Sequence, residues 1–168
     1  VGDFNVFKVG QTLSYKDQVV DYVNDTRQGY VVSLSSDYAG FGGDKYFVKN
    51  VFTARQSISF WDNAWQFGIL FNAGKIHSLN NTVLSRSDRF LLGADNLRGF
   101  EYGGIGARSA TNTSYAYGGN WEVNGTFQLN FPIGIPKKYK VSGYIFYDWG
   151  KLGKPVLTED TDVLYSGK

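Results

Sequence analysis

Cysteine is absent from the 168 residues, so no disulfide staples the fold and no thiolate is available as a metal ligand. Methionine is absent too, proline occurs three times and histidine once. The lone His77 has no spaced metal partners and no serine-elbow motif near it, which argues against a metal site, a hydrolase or any bound cofactor and marks it as an exposed loop residue. Charge of either sign is scarce in excess: the net charge of +2 gives no basic footprint for nucleic acid. No apolar run approaches the roughly 18 residues a membrane helix needs, but membrane-crossing strands need only about 9 to 11 residues and alternate apolar with polar. Low hydropathy therefore leaves a membrane barrel open. What the chain has in quantity is strand-forming aromatics, 12 Tyr, 13 Phe and 4 Trp, with 21 glycines.

A two-residue period recurs along the chain. From Phe7 to Tyr15, Phe, Val, Gln, Leu and Tyr alternate with Lys, Gly, Thr and Ser. A polar stretch from Asp17 to Gly29 reads as a turn, and Tyr30 to Tyr38 alternates again. After the glycine turn Ala39–Asp44, the run Tyr46–Phe60 sets Val48, Phe52, Ala54, Ile58 and Phe60 against Lys49, Thr53, Arg55, Ser57 and Ser59. Beyond the turn at Trp61–Asn63, Trp65, Phe67, Ile69 and Phe71 oppose Gln66, Gly68, Asn72 and Gly74. A fifth strand places Trp121, Val123, Phe127 and Leu129 opposite Glu122, Asn124, Thr126, Gln128 and Asn130, and a sixth spans Tyr139–Trp149. The connection between them, Phe131–Lys138, holds two prolines that have no N–H for a ladder.

One face of these strands carries Lys8, Lys16, Asp37, Lys49, Arg55, Glu122 and Asp148, and the other carries almost no charge. A soluble β-sandwich would show the same division, with the apolar faces sharing a core. The runs nevertheless exceed the roughly 5 to 6 residues of an average soluble strand. Aromatics also cluster at strand ends: Trp61, Trp65, Phe131 and Tyr139 at one, Tyr38, Tyr46, Tyr115, Tyr117, Trp121 and Trp149 at the other. Two aromatic girdles around an apolar band are the pattern of an outer-membrane barrel. The expected fold is all-β, an antiparallel up-and-down transmembrane β-barrel, here a partial barrel of about six strands with one long loop.

That loop, Arg86–Arg108, reads as neither strand nor helix and holds four of the six arginines, Arg86, Arg89, Arg98 and Arg108. Glycines surround Arg98, and Leu97-Arg98-Gly99-Phe100 sets an aromatic close to the guanidinium. A solvated connector is the plain reading of such a loop, but long loops in compact folds are commonly functional.

Arg89-Phe90-Leu91-Leu92-Gly93 followed by Leu97-Arg98-Gly99-Phe100 resembles the arginine-glycine-phenylalanine motif of the outer-membrane assembly factor family of BamA and its relatives. Gly104–Arg108, Gly118–Asn120, Phe131–Pro136 and Phe146–Gly150 are similar to that family's succeeding landmarks, the FPIGIP turn resembling alphaproteobacterial members. Asp25–Gly29 is a looser match to the turn before an earlier strand. The resemblance implies a 16-stranded barrel behind periplasmic repeat domains, with residues 1–168 as part of a single barrel domain, roughly its eighth to thirteenth strands, and Val1 and Lys168 as fragment ends. It further implies a non-enzymatic role in inserting proteins into the bacterial outer membrane. Unfolded outer-membrane precursors, accessory lipoproteins of an assembly complex and outer-membrane lipids are the partners it implies, nucleic acid not among them.

In that family the long loop folds into the lumen and its motif arginine pairs with acidic wall residues; here the match falls on Arg98, with Gly99 and Phe100 beside it. The wall aspartate falls on Asp148, while Gln128 stands where glutamate is usual, and Glu122 shares the inward face as a possible substitute. The resemblance therefore implies a latch between Arg98 and Asp148. A passive pore or adhesin barrel of about eight strands, and a soluble sandwich binding module, are the competing functions. The first has no use for an arginine latch and the second none for two girdles.

Overall fold

A computed structural model describes residues 6–21, 26–61, 64–80, 82, 84–112, 114–135, 139, 141–155 and 163–166. Eight strands are present among them: β1 Lys8–Asp21, β2 Thr26–Ala39, β3 Phe47–Phe60, β4 Trp65–Ser78, β5 Gly106–Ser109, β6 Trp121–Pro132, β7 Ser142–Leu152 and β8 Val163–Ser166. Six form one antiparallel sheet in the order β1-β2-β3-β4-β6-β7, in which every neighbour is also the next long strand in sequence. This is the up-and-down meander of a barrel wall. Within the described residues it is an open wall, with β1 and β7 as its edges.

The ladder runs in continuous register. Ser57 faces Gly68 and Gly68 faces Gln128; Thr53 faces Asn72 and Asn72 faces Asn124. Because side chains alternate across a pleated strand, this register sorts them into two faces. Lys49, Thr53, Arg55, Gln66, Asn72, Asn124, Thr126, Gln128 and Asp148 share one, as expected from the alternation. The other carries Phe52, Ala54, Ile58, Phe67, Ile69, Phe71, Phe127, Leu129 and Ile145, with Asn50 and Gln56 as the polar exceptions on β3. From Phe52 to Phe60 this apolar face runs about 26 Å along the strand. A barrel-wall tilt reduces that to about 20 Å along a membrane normal, close to the roughly 25 Å band of outer-membrane barrels.

Strand ends depart from the sequence reading in several places. β1 runs on through Asp17–Asp21 and β2 opens at Thr26, so most of the polar stretch read as a turn is paired strand, and the connection shrinks to residues 22–25, outside the described residues. Polar residues are tolerated there because the ladder satisfies the backbone whatever the side chain. β4 extends to Ser78 and takes in His77, which is exposed but on a strand. Phe131 and Pro132 close β6 and β7 begins at Ser142, which moves that connection two residues later at its start and three at its end. The tip Pro136–Lys138 lies outside the described residues.

At the turn end the girdle is present: Trp61 lies 5.2 Å from Phe60 and 5.4 Å from Trp65, and Trp65 lies 5.8 Å from Phe131. At the loop end Trp149 does not belong to the girdle. It pairs with Gly125, which pairs with Phe71 at mid-sheet, and its ring lies over the bare Cα of Gly125. Tyr115 and Tyr117 meet edge to face at 5.4 Å within the loop and not on the apolar face.

Candidate functional site: a loop held against the polar wall

The loop from residue 79 to 120 folds over the polar face and supplies much of the buried apolar surface. Leu84, Phe90, Leu92 and Leu97 are buried, with Leu92 fully so. It is bonded to itself: Leu92 and Ile105 form a bridge, Phe90 and Gly119 another, and the Glu101 carbonyl accepts from the Ala94 and Gly104 N–H groups. The sequence reading left this stretch without regular structure, yet Gly106–Ser109 is a short strand, β5, paired antiparallel with β8. The wall makes room with glycine. Gly74 lies beneath the Phe90 ring, and a Cβ at Gly150 would meet Leu92 at 3.0 Å and Leu97 at 3.2 Å.

The loop's tip delivers Arg98 to Asp148. The guanidinium binds the carboxylate through two parallel bonds, Nε to Oδ2 at 2.8 Å and Nη2 to Oδ1 at 2.7 Å, and the Arg98 backbone N–H donates to Oδ2 at 3.0 Å. Gly99 follows with φ of 91°, a left-handed turn that brings main chain and side chain of Arg98 to one carboxylate. Thr126 Oγ1 donates to Asp148 Oδ1 at 2.8 Å, fixing the carboxylate from the neighbouring strand. Planar fork on carboxylate is the geometry for which arginine is suited and lysine is not. The pairing holds Arg98 charged, its pKa pushed above the ordinary arginine value by the Asp148 hydrogen bonds.

Depth gives the contact its meaning. Asp148 is opposite Thr126, Thr126 opposite Leu70, and Leu70 opposite Arg55, a row eight residues down β4 from Ser78. At about 3.3 Å per residue the tip lies roughly 26 Å down β4 from Ser78, and about 13 Å down β7 from Leu152.

Gln128 meets Arg98 as a neutral partner: its Oε1 accepts from Nη1 at 3.1 Å. Its amide then donates to Asn130 Oδ1 at 2.9 Å, Asn130 donates to Gln66 Oε1 at 3.1 Å, and Gln66 donates to Ser57 Oγ at 2.9 Å. A glutamate at 128 has no proton to donate and would stop this relay at its first step. Glu122 is not drawn to the latch. It lies four residues along β6 from Thr126, with Lys49 as its charged neighbour. Phe100 is half exposed, and the ring over the Arg98 guanidinium is Phe146, 3.5 Å from centroid to Cζ. Phe146 shares the inward parity of Asp148 two residues on, which is the signal in the sequence that identifies it.

A second anchor at the loop's base had no sequence signal. Asp88 is buried and takes Lys8 at 3.1 Å and Lys45 at 2.9 Å on its two oxygens, while its carbonyl accepts from Lys49 at 3.0 Å. Lys45 also donates to Ser85 Oγ. Burial alone would raise the Asp88 pKa, but hydrogen bonds from Lys45 and Lys8 outweigh it and hold the carboxyl below its ordinary value. Arg89 beside it is pushed down by burial. Among the described residues no group of histidine, cysteine and carboxylate side chains is arranged to hold a metal.

A wall of antiparallel strands with a loop pinned inside it is what a family model described as the Omp85 superfamily domain matches, over residues 2–163. The chain belongs to the Omp85 superfamily. It is 33% identical over 134 residues to the outer membrane protein assembly factor BamA of Neorickettsia risticii (strain Illinois), a match covering 79% of this chain and 18% of that protein. A SAM50-like protein of Schizosaccharomyces pombe is 30% identical over 135 residues, covering 73% of this chain and 27% of that one. The crystal structure of BamA from Haemophilus ducreyi lacking POTRA domains 1-3 superposes with a TM-score of 0.73 at 18% identity, covering 88% of this chain and 30% of that one. This Omp85 segment therefore spans under a third of the length of each of these relatives, and the barrel wall expected from its alternation is the fold it has.

Proposed function

We propose that this segment is part of the single barrel domain of an Omp85 insertase, and that Arg98 on Asp148 latches the inward loop while the barrel receives unfolded outer-membrane precursors. The apolar outer band and the family place the barrel in the bacterial outer membrane. Three hydrogen bonds from one loop arginine to one wall carboxylate, below the rim, are the observation that carries the reading. A passive pore has no need of this arrangement, because a loop pinned across the polar face obstructs the path a solute would take. The role is assembly and not catalysis, with accessory lipoproteins as further partners, in keeping with a relative named as an assembly factor. The test is complementation of the full-length parent gene under depletion. Arg98→Ala should leave the parent inserted but slow the folding of client barrels, read by their heat-modifiable migration. Wild-type client folding in a variant whose loop has demonstrably loosened would refute the latch as a working part.

A further inference from the structure

The outward face holds a charge pattern that the latch does not use. At the outward positions of β4, β6 and β7 the formally charged side chains are Lys75 and Lys151, both toward the loop end. Trp121 lies between them: it is the cross-strand partner of Lys75, and Lys151, opposite Val123, sits diagonally across with its Nζ 5.9 Å from the indole ring. Both lysines and Trp121 are exposed. Below this row the same face is apolar through Ala73, Val123, Phe71, Ile69 and Phe127. Glu122, the acid nearest in sequence, is on the opposite face. Beside the row, Ser36 donates to Asn50 Oδ1 at 2.7 Å, so the apolar band gives way to polar side chains at one level on neighbouring strands.

We infer that Lys75, Trp121 and Lys151 form an outward-facing site for the phosphate of an anionic lipid in the leaflet at the loop end. The Trp ring packs at the headgroup–acyl boundary, where amphipathic aromatics settle. The two ammonium groups reach along and above it to a phosphate whose acyl chains lie on Ala73 and Phe71. Lone lysines at a membrane interface snorkel to water without preferring one headgroup. Two lysines flanking one indole on adjacent strands, with no acid on that face of β4, β6 or β7, favour negative charge at a fixed place. Cationic side chains near an anionic surface are each worth about a five-fold gain in binding.

This inference rests on the outer-membrane placement and not on the assembly role, so the two are separable. The full-length parent, in mild detergent, is titrated with phosphatidylglycerol, phosphatidylcholine or inorganic phosphate, and retained lipid is counted by native mass spectrometry. The wild type should retain phosphatidylglycerol over phosphatidylcholine. The Lys75→Gln, Lys151→Gln double variant should lose most of that preference, about five-fold or more per lysine. The corresponding double arginine variant should keep it. Client folding in the glutamine variant should match wild type, so a failure of the assembly reading would not register here. Equal retention of the two lipids by wild type, an unchanged preference in the glutamine variant, or binding of inorganic phosphate as strong as that of the lipid would each overturn the site.

Discussion

Phe90 occupies the space that Gly74 leaves empty: a Cβ built on Gly74 would lie 2.5 Å from two carbons of the ring. That contact fixes the loop's base to the wall from above, and the ring is in turn approached by Lys49 Nζ at 4.3 Å. Gly74→Ala is therefore expected to push Phe90 off the wall and expose the loop to extracellular protease. Gly68 supplies the control, since it shares the inward face but a Cβ there meets nothing closer than Gln128 O at 3.9 Å. Equal protease sensitivity of the two alanine variants would remove the Gly74–Phe90 contact as a determinant.

Much of this was legible in the sequence, for a physical reason. Period-two alternation survives wherever one face meets lipid, so the division of Val48, Phe52 and Ala54 from Lys49, Thr53 and Arg55 was readable residue by residue. Strand ends were not, because Asp17 and Gln18 pair through their backbones and send no compositional signal. Arg98 and Asp148 were found through a resemblance. Asp88 was not found at all: Lys8 is 80 residues away from it and Lys45 is 43, distances at which no local pattern survives. Phe146 was readable from parity, whereas Phe100, the aromatic two residues from Arg98 in sequence, is half exposed and leaves the guanidinium to Phe146.

Cysteine labelling in the full-length parent separates the faces. Substitutions at Phe67, Ile69 and Phe127 should resist a water-soluble thiol reagent, and those at Gln66 and Thr126 should accept it. Asn124 is inward yet buried, beneath the loop beside Leu97, so its cysteine should label poorly until the loop is released. Prompt labelling at Phe67 and Ile69 would contradict the lipid-facing assignment.

Acid tests the base of the loop. Asp88 has its carboxyl held below the ordinary aspartate value, so its stabilisation is complete above the unfolded value of about pH 4 and is lost as pH falls through the folded one. Protection of the loop from pepsin should thus be flat from pH 5 downward to about 4 and decline below it. Asp88→Asn leaves Lys8 and Lys45 without their shared carboxylate, though Lys49 keeps the backbone carbonyl, and should weaken protection across the whole range. Should wild type and Asp88→Asn show the same acid profile, the Lys8–Asp88–Lys45 bridge is not what holds the base.

Gln128 tests how the relay and the latch share the arginine. Gln128→Glu adds a second carboxylate to Arg98 but has no proton for Asn130, so the tip should tighten while Asn130 and Gln66 lose order. Gln128→Leu removes both partners and should loosen tip and wall together. Hydrogen exchange at Arg98 against that across β4 and β6 reads the two effects separately, and parallel changes in both variants would show that the relay is not a unit.

The latch itself calls for a double-mutant cycle. Arg98→Ala removes the fork and strands a wall carboxylate whose side chain is only 6% exposed, leaving Thr126 and the backbone N–H of residue 98 as its remaining donors. Losing one partner of a fully buried pair costs about 3 to 5 kcal/mol, and the 36% exposure of the arginine lowers the expected loss here to about 2 to 3 kcal/mol. Asp148→Asn keeps the shape but gives up the charge, and should cost somewhat less because a neutral oxygen still accepts from the Arg98 backbone. With the pair in direct contact, the double variant should cost less than the two singles added, by about 1 to 3 kcal/mol. Phe146→Leu is the informative third corner. It removes the ring 3.5 Å from the guanidinium without touching the carboxylate, so the Arg98–Asp148 coupling should persist while the tip loses about 1 kcal/mol of stacking. Loop-release temperature of the parent, followed by protease cleavage within the loop, measures all of these. Additive costs for Arg98 and Asp148 would leave Arg98 as a loop arginine that rests on the wall without holding it.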